Sequence, residues 1–198
     1  MMIAAVALGL TALRLELDAA RTLTVGGRPV IRNVPDKLSV SEDGGAGGVF
    51  LRAEFAREAA AHTIQLGTLE CSRLLACARA TRYWMAPAFG TRAGDVPLDT
   101  QLLLLELAPD AYAVVLPLID HAFRASVHGG RGDALRLHAE SGDREVCAGG
   151  MTALYVAGGA DPFALVRSAV EEVAGRLRTF RPLSQKALPP SVDTFGWC

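Results

Sequence analysis

The chain lacks a charge imbalance: 20 Lys and Arg stand against 21 Asp and Glu over 198 residues, a net charge of −1. A near-neutral surface gives no electrostatic reason to bind nucleic acid or an anionic membrane. It also lacks a C-x-x-C pair. Its four cysteines, Cys71, Cys77, Cys147 and Cys198, do not cluster with the four histidines (His62, His121, His128, His138) at zinc-ligand spacing, so no metal is expected. Reduced thiols fit an intracellular protein, in the cytoplasm or a plastid. Membrane-spanning length is missing too. Met1–Leu13 is apolar apart from Thr11, but a helical span takes about 20 residues and no basic flank precedes it. That segment reads as a helical or disordered extension. Gly44-Gly45-Ala46-Gly47-Gly48 is not followed by Lys-Ser/Thr and opens onto a strand. It reads as a flexible connection rather than a phosphate cradle, and no cofactor is expected.

What is present is apolar sequence cut into short pieces. Hydrophobic residues make up 51% of the chain, and its 20 glycines and 10 prolines fall between apolar runs as turns do. Val49, Leu51, Ala53 and Phe55 alternate with Phe50, Arg52 and Glu54, the period of a strand with one buried face. Gln101–Leu107 is a continuous apolar run, the pattern of a strand covered on both faces. Tyr112–Leu118 follows after Pro109-Asp110, so the two predict a hairpin. Phe123, Ala125 and Val127 alternate with Arg124, Ser126 and His128. After the turn Gly129–Asp133, Leu135, Leu137 and Ala139 alternate with Arg136, His138 and Glu140. Ser141-Gly142-Asp143 turns again before a strand over Thr152–Ala157. Short strands at this spacing predict a mostly β fold, an antiparallel β-sandwich.

One segment has a different period. Asp161-Pro162 pairs an N-cap with proline at the first helical position. Val166, Val170, Val173, Leu177 and Phe180 then recur at helical spacing, predicting one C-terminal helix over Asp161–Phe180. The expected organisation is an unplaced extension over 1–20, a sandwich over 21–160, a bridging helix over 161–181, and a linker over 182–198. The linker's proline-bearing stretch leads to an apolar, aromatic tip, Phe195-Gly196-Trp197-Cys198, in the manner of a chain entering a further domain.

Several blocks, taken in order, resemble a known family. Thr24–Val34 with Pro35-Asp36, Gly67-Thr68-Leu69-Glu70, Arg73–Cys77, Tyr83-Trp84-Met85 and Gly90 open the series. Asp95–Leu98 with Thr100–Leu103, Tyr112–Leu118, Phe123-Arg124-Ala125, Glu140–Asp143, Leu154–Val156 and Asp161-Pro162-Phe163 continue it. FGWC at the end resembles the start of an FGWCTWD segment, where such chains enter a barrel. The set is similar to the raffinose synthase and seed-imbibition-protein group of glycoside hydrolase family 36, alkaline α-galactosidases included. The sequence departs from that pattern at Tyr83, where many relatives carry a second tryptophan, and at Ala86-Pro87.

The resemblance implies a β-sandwich packed against a (β/α)8 catalytic barrel, here cut off before the barrel begins. It implies galactosides such as galactinol, sucrose and raffinose as ligands of the full-length family. The two catalytic carboxylates would lie on the barrel, so this chain alone is expected to be inactive. Trp84 and Trp197 are the candidate substrate-binding residues, because an aromatic face stacks on the apolar side of galactose. Each could instead fill a core or an interdomain contact. Arg131-Gly132-Asp133 reads as a hairpin turn. Glu171-Glu172 lie side by side on a helix and cannot converge on one bond, and Asp95 with Asp99 flank Pro97 without an evident base. The other reading is a stand-alone carbohydrate-binding or scaffold sandwich.

Overall fold

The computed structural model describes residues 12–41, 47–55, 59–187 and 189–192. Trp197, Phe195 and the FGWC tip, the Gly-rich stretch over 42–46 and most of Met1–Leu13 lie outside them.

Two antiparallel layers follow from the strand pairing. The first runs β5 (Leu38–Ser41), β6 (Gly48–Phe55), β15 (Gly149–Gly159), β11 (Ala111–Pro117), β10 (Thr100–Ala108), β8 (Arg73–Thr81) and β9 (Trp84–Gly90). The second runs β2 (Leu15–Leu17), β3 (Leu23–Val25), β4 (Arg28–Arg32), β7 (Ala61–Leu69), β14 (Ala134–Glu140) and β13 (Phe123–Gly129), with the short β12 (Ile119–Asp120) at its end. A single register pair, Thr100↔Val127, joins the layers on one side. On the other side β1 (Ala12–Leu13) pairs Gly158 and Gly159 of β15. The result is a nearly closed, barrel-like sandwich.

That second closure lies in the segment the sequence left unplaced. Leu13, Leu15 and Leu17 pack against the core from alternate positions, with Arg14 and Glu16 exposed between them. The alternation was present but too short to stand out beside the apolar run before it. Where the layers close, Gly158 passes so near Val25 that a Cβ would overlap Val25 Cγ1. At the other end, Arg21 in the left-handed region donates to the carbonyls of Val34 (3.0 Å), Pro35 (2.6 Å) and Leu38 (2.7 Å), pinning the turn into β5.

The interior takes alternate residues from both layers: Leu51, Ala53, Leu103, Leu105, Val115 and Val156 face Leu23, Val25, Leu66, Ala125, Leu135 and Leu137. The predicted hairpins form. Gly132 and Asp133 both take positive φ in the turn between β13 and β14, so Arg131-Gly132-Asp133 is a turn, and the Asp133 carbonyl accepts from the Leu69 N–H at 2.9 Å. Gly67, φ +135, sits at the bulge where β7 meets β14 and lies against the Arg32 carbonyl, a position closed to any Cβ.

Helix α1 spans Pro162–Leu177. Asp161 caps it by accepting from the Ala164 N–H at 2.7 Å, and Arg178 in the left-handed region ends it. It is therefore shorter than the predicted Asp161–Phe180, and its buried face is rotated. Leu165, Ala169, Val173 and Ala174 are buried, while Val166, Val170 and Leu177 flank them. Phe180 lies past the end and is 40% exposed. The helix covers Phe50, Val114, Leu116, Tyr155 and Ala157 on the outer face of the first layer. Burial beneath it pushes the Tyr155 hydroxyl up to about 12, with Glu172 adding to the shift. No helix among the described residues is long and apolar enough to cross a membrane.

Candidate functional site

The second layer carries its chemistry on its outer face. Arg124 and Glu140 are register partners on β13 and β14, so both side chains leave the sheet on the same side. Arg124 Nη1 donates to Asp99 Oδ1 at 3.0 Å, and Nη2 donates to Glu140 Oε1. Asp99 also accepts from Gln101 Nε2 at 2.7 Å. His138 Nε2 lies 3.8 Å from Glu140 Oε2, and its Nδ1 lies 3.2 Å from Thr63 Oγ1. Leu98, Ser126 and His128 complete the walls of a shallow hollow of about 270 Å³.

The electrostatics decide what this cluster can do. The hydrogen bond from Arg124 holds the Glu140 carboxyl below its ordinary range, outweighing the opposing effect of burial. Burial works against the Arg124 charge, yet its bonds to Glu140 and Asp99 leave the guanidinium more basic than usual. Glu140 is therefore held as an anion that accepts hydrogen bonds. A general acid at neutral pH needs the opposite shift. The pair Asp95 and Asp99 is likewise committed. Asp95 Oδ2 accepts from the Thr91 N–H at 3.0 Å, the main reason its carboxyl lies below the usual range, and from the Arg92 N–H at 3.3 Å. Among the described residues no group of three or more His, Cys, Asp or Glu could hold a metal ion.

Cys71, Cys77 and Cys147 are free thiols. Burial pushes the Cys71 thiol up to about 11, with the charges of Asp95 and Asp133 reinforcing it. It is a poor nucleophile at neutral pH.

The sequence placed its sugar-binding candidates elsewhere. Trp84 opens β9 just after the turn from β8. It is 67% exposed, and Tyr83 beside it is 88% exposed, so Trp84 does not fill this domain's core. Trp197 lies outside the described residues. The Arg124 cluster was not singled out as a site, although its signal was present: an alternating hairpin about a turn at 129–133 puts Arg124 opposite Glu140. What the pattern could not give was Asp99, brought in from the loop before β10.

The chain matches the family described as raffinose synthase or seed imbibition protein Sip1 over residues 16–198. It is 37% identical over 196 residues to the probable galactinol–sucrose galactosyltransferase 6 of Arabidopsis thaliana, covering 89% of this chain and 26% of that protein. A galactinol–sucrose galactosyltransferase of rice (Oryza sativa subsp. japonica) is 30% identical, with 90% and 25% covered. The stachyose synthase of Pisum sativum is also 30% identical, with 67% and 16% covered. The chain thus spans about a quarter of the length of the galactosyltransferases it matches. On this evidence the chain belongs to the raffinose synthase and seed imbibition protein family, of whose members it represents the N-terminal portion.

Proposed function

We propose that these residues form the non-catalytic N-terminal domain of a galactosyl-transferring or α-galactoside-hydrolysing protein, whose reaction runs on a (β/α)8 barrel further along the chain. The observation that carries this is the extent of the match: about nine-tenths of the chain aligns to only about a quarter of the Arabidopsis and rice galactosyltransferases. Site chemistry supports it. A retaining glycosidase mechanism needs two carboxyls about 5–5.5 Å apart across the sugar, one of them able to hold a proton near neutrality. Asp99 and Glu140 instead share one guanidinium, and Glu140 is shifted the wrong way. The galactosides of the family, galactinol, sucrose and raffinose, would be handled by the barrel. Trp84 would contribute an aromatic face to a sugar or to the barrel itself, a reading its exposure at a hairpin tip supports.

The test is an assay of the 198-residue chain on galactinol plus sucrose, and on a chromogenic α-galactoside. The expected result is no turnover above a blank. Turnover that survives purification and is lost in Glu140→Gln would overturn the reading.

The Arg124 hollow favours a second reading, a carbohydrate-binding sandwich, because charged planar groups suit sugar hydroxyls. Titrating raffinose or galactose while following tryptophan emission and the His138 proton resonances separates the two. Saturable shifts abolished by Arg124→Ala select the binding module. Their absence leaves the supporting domain.

A further inference from the structure

The two layers differ on their outer faces in a way the fold alone does not require. Register pairs place Phe89, Leu75, Leu104, Val114 and Ala157 in one row across the first layer, all on the side away from the core. Pro87, Cys77 and Leu102 are paired in the next row, and the pair Leu116 and Tyr155 lies on the same face. This is one apolar sheet face. Helix α1 covers the β11 and β15 end of it. Over β9, β8 and β10 nothing in the described chain covers it: Phe89 is 76% exposed and Met85 44%. Between Phe89, Leu75, Leu104, Tyr112 and the first residue of α1, Pro162, lies an open groove of about 600 Å³. Its rim carries the ion pair Arg73–Glu106, 2.6 Å. An apolar floor with a charged rim is the make-up of a protein interface.

We infer that this open half of the first layer is the seat of the remainder of the family's protein, the part that follows these residues in the full-length relatives. The inference deepens the reading of the chain as a supporting domain and rests on it. Two observations identify the occupant. The relatives continue well beyond what this chain spans. After α1 the chain also reverses: Pro182, Leu183 and Ser184 share a hollow with Phe163, Val166, Arg167, Val170 and Glu171, along the first part of the helix. The polypeptide therefore comes back toward the end of α1 where Pro162 borders the groove. The mode of contact is face-on. β9 pairs only with β8 among the described strands, but Pro87 stands in the middle of its free edge, where it denies an added strand a donor.

Hydroxyl-radical footprinting tests this. It compares the 198-residue chain with the same chain joined to the remainder of the Arabidopsis relative. Labelling of Phe89 should fall roughly fivefold in the fusion, and that of Tyr112 should fall with it, as for side chains entering a packed interface. His138, on the polar face of the second layer, should label equally in both. Phe89→Asp should leave the thermal midpoint of the isolated chain unchanged and restore Tyr112 labelling in the fusion. Protection at His138 without protection at Phe89 overturns the docking face while leaving the supporting-domain reading intact. Protection of Phe89 that rises with the concentration of the isolated chain assigns the face to a second copy, and also overturns the proposal. Protection at neither face overturns it together with the reading beneath it. Footprinting the intact relative at the aligned strands gives the same discrimination without an engineered junction.

Discussion

The outer faces of the two layers are opposite solutions to one geometry. On β13 and β14 the residues pointing away from the core are Arg124, Ser126, His128, Arg136, His138 and Glu140, a polar set in which Arg124 binds Glu140 and all but Ser126 are at least partly exposed. On β8, β10 and β11 the same positions hold Leu75, Cys77, Leu102, Leu104, Val114 and Leu116. An antiparallel sheet with one solvated side alternates, and one covered on both sides does not. The first layer is therefore built to be covered twice. Among the described residues helix α1 supplies only half of the second cover, which makes the two halves of that single face the sharper comparison.

The covered half should respond most strongly to change. Phe50 is fully buried beneath α1, 4.7 Å centroid to centroid from Tyr155, with the Arg176 guanidinium 5.4 Å above its ring. Phe50→Ala should cost about 3–5 kcal/mol in a denaturant titration, the range for truncating a core aromatic. A cost under about 1 kcal/mol would show that α1 does not seal this half.

Closure of the sandwich is the next largest effect. Gly158→Val forces a side chain into Val25 where β15 meets the second layer. It should destabilise by about 1–3 kcal/mol, as overpacking does. Adding Val25→Ala, which removes the obstructing methyl groups, tests whether the loss comes from the close approach: the double variant should recover part of it. Each midpoint can be read by thermal melting.

The polar face should show itself through pH. Because the Glu140 carboxyl is depressed in the folded state, its contribution to stability is complete above the ordinary carboxylate value of 4.5. It is lost as pH falls below that value, through the lowered folded one. Glu140→Gln should lower the melting temperature at neutral pH and let it converge with that of the unaltered chain in acid, so that the acid limb flattens. An unaltered acid limb would mean that Arg124 does not hold this carboxylate in solution.

The open half gives the smallest effect in isolation. Phe89→Ser should change the stability of the chain by no more than about 0.5 kcal/mol, because the side chain is already exposed. A loss comparable to that at Phe50 would show that the open half is covered within this chain after all.

Much of the architecture was legible in sequence, and the exceptions share one cause. The hairpin of β13 and β14 follows from its alternation and its turn, and the β10–β11 hairpin from two apolar runs about Pro109-Asp110. The helix was found by its period and cap, yet its buried face centres on Leu165, Ala169 and Val173. Alanines carry little weight in an apolar stripe, whereas valines attract the eye. Gln101–Leu107 reads as covered on both faces, while Leu102 and Leu104 are only half-buried here. The described residues cover its outer face only in part. For the candidate site, the alternation gave Arg124 and Glu140, and only the folded loop at 98–99 gave Asp99.

The order of apolar and polar residues by itself determined that this chain makes antiparallel strands and one capped helix, since both periods are set by neighbours along the backbone. Only the tertiary structure decided that Ala12–Leu17 closes the sandwich, that three distant segments meet at Arg124, and that half of one sheet face is left uncovered by the described residues. Those outcomes depend on pairings between residues far apart in sequence, and what covers a strand leaves no periodic trace in the strand itself.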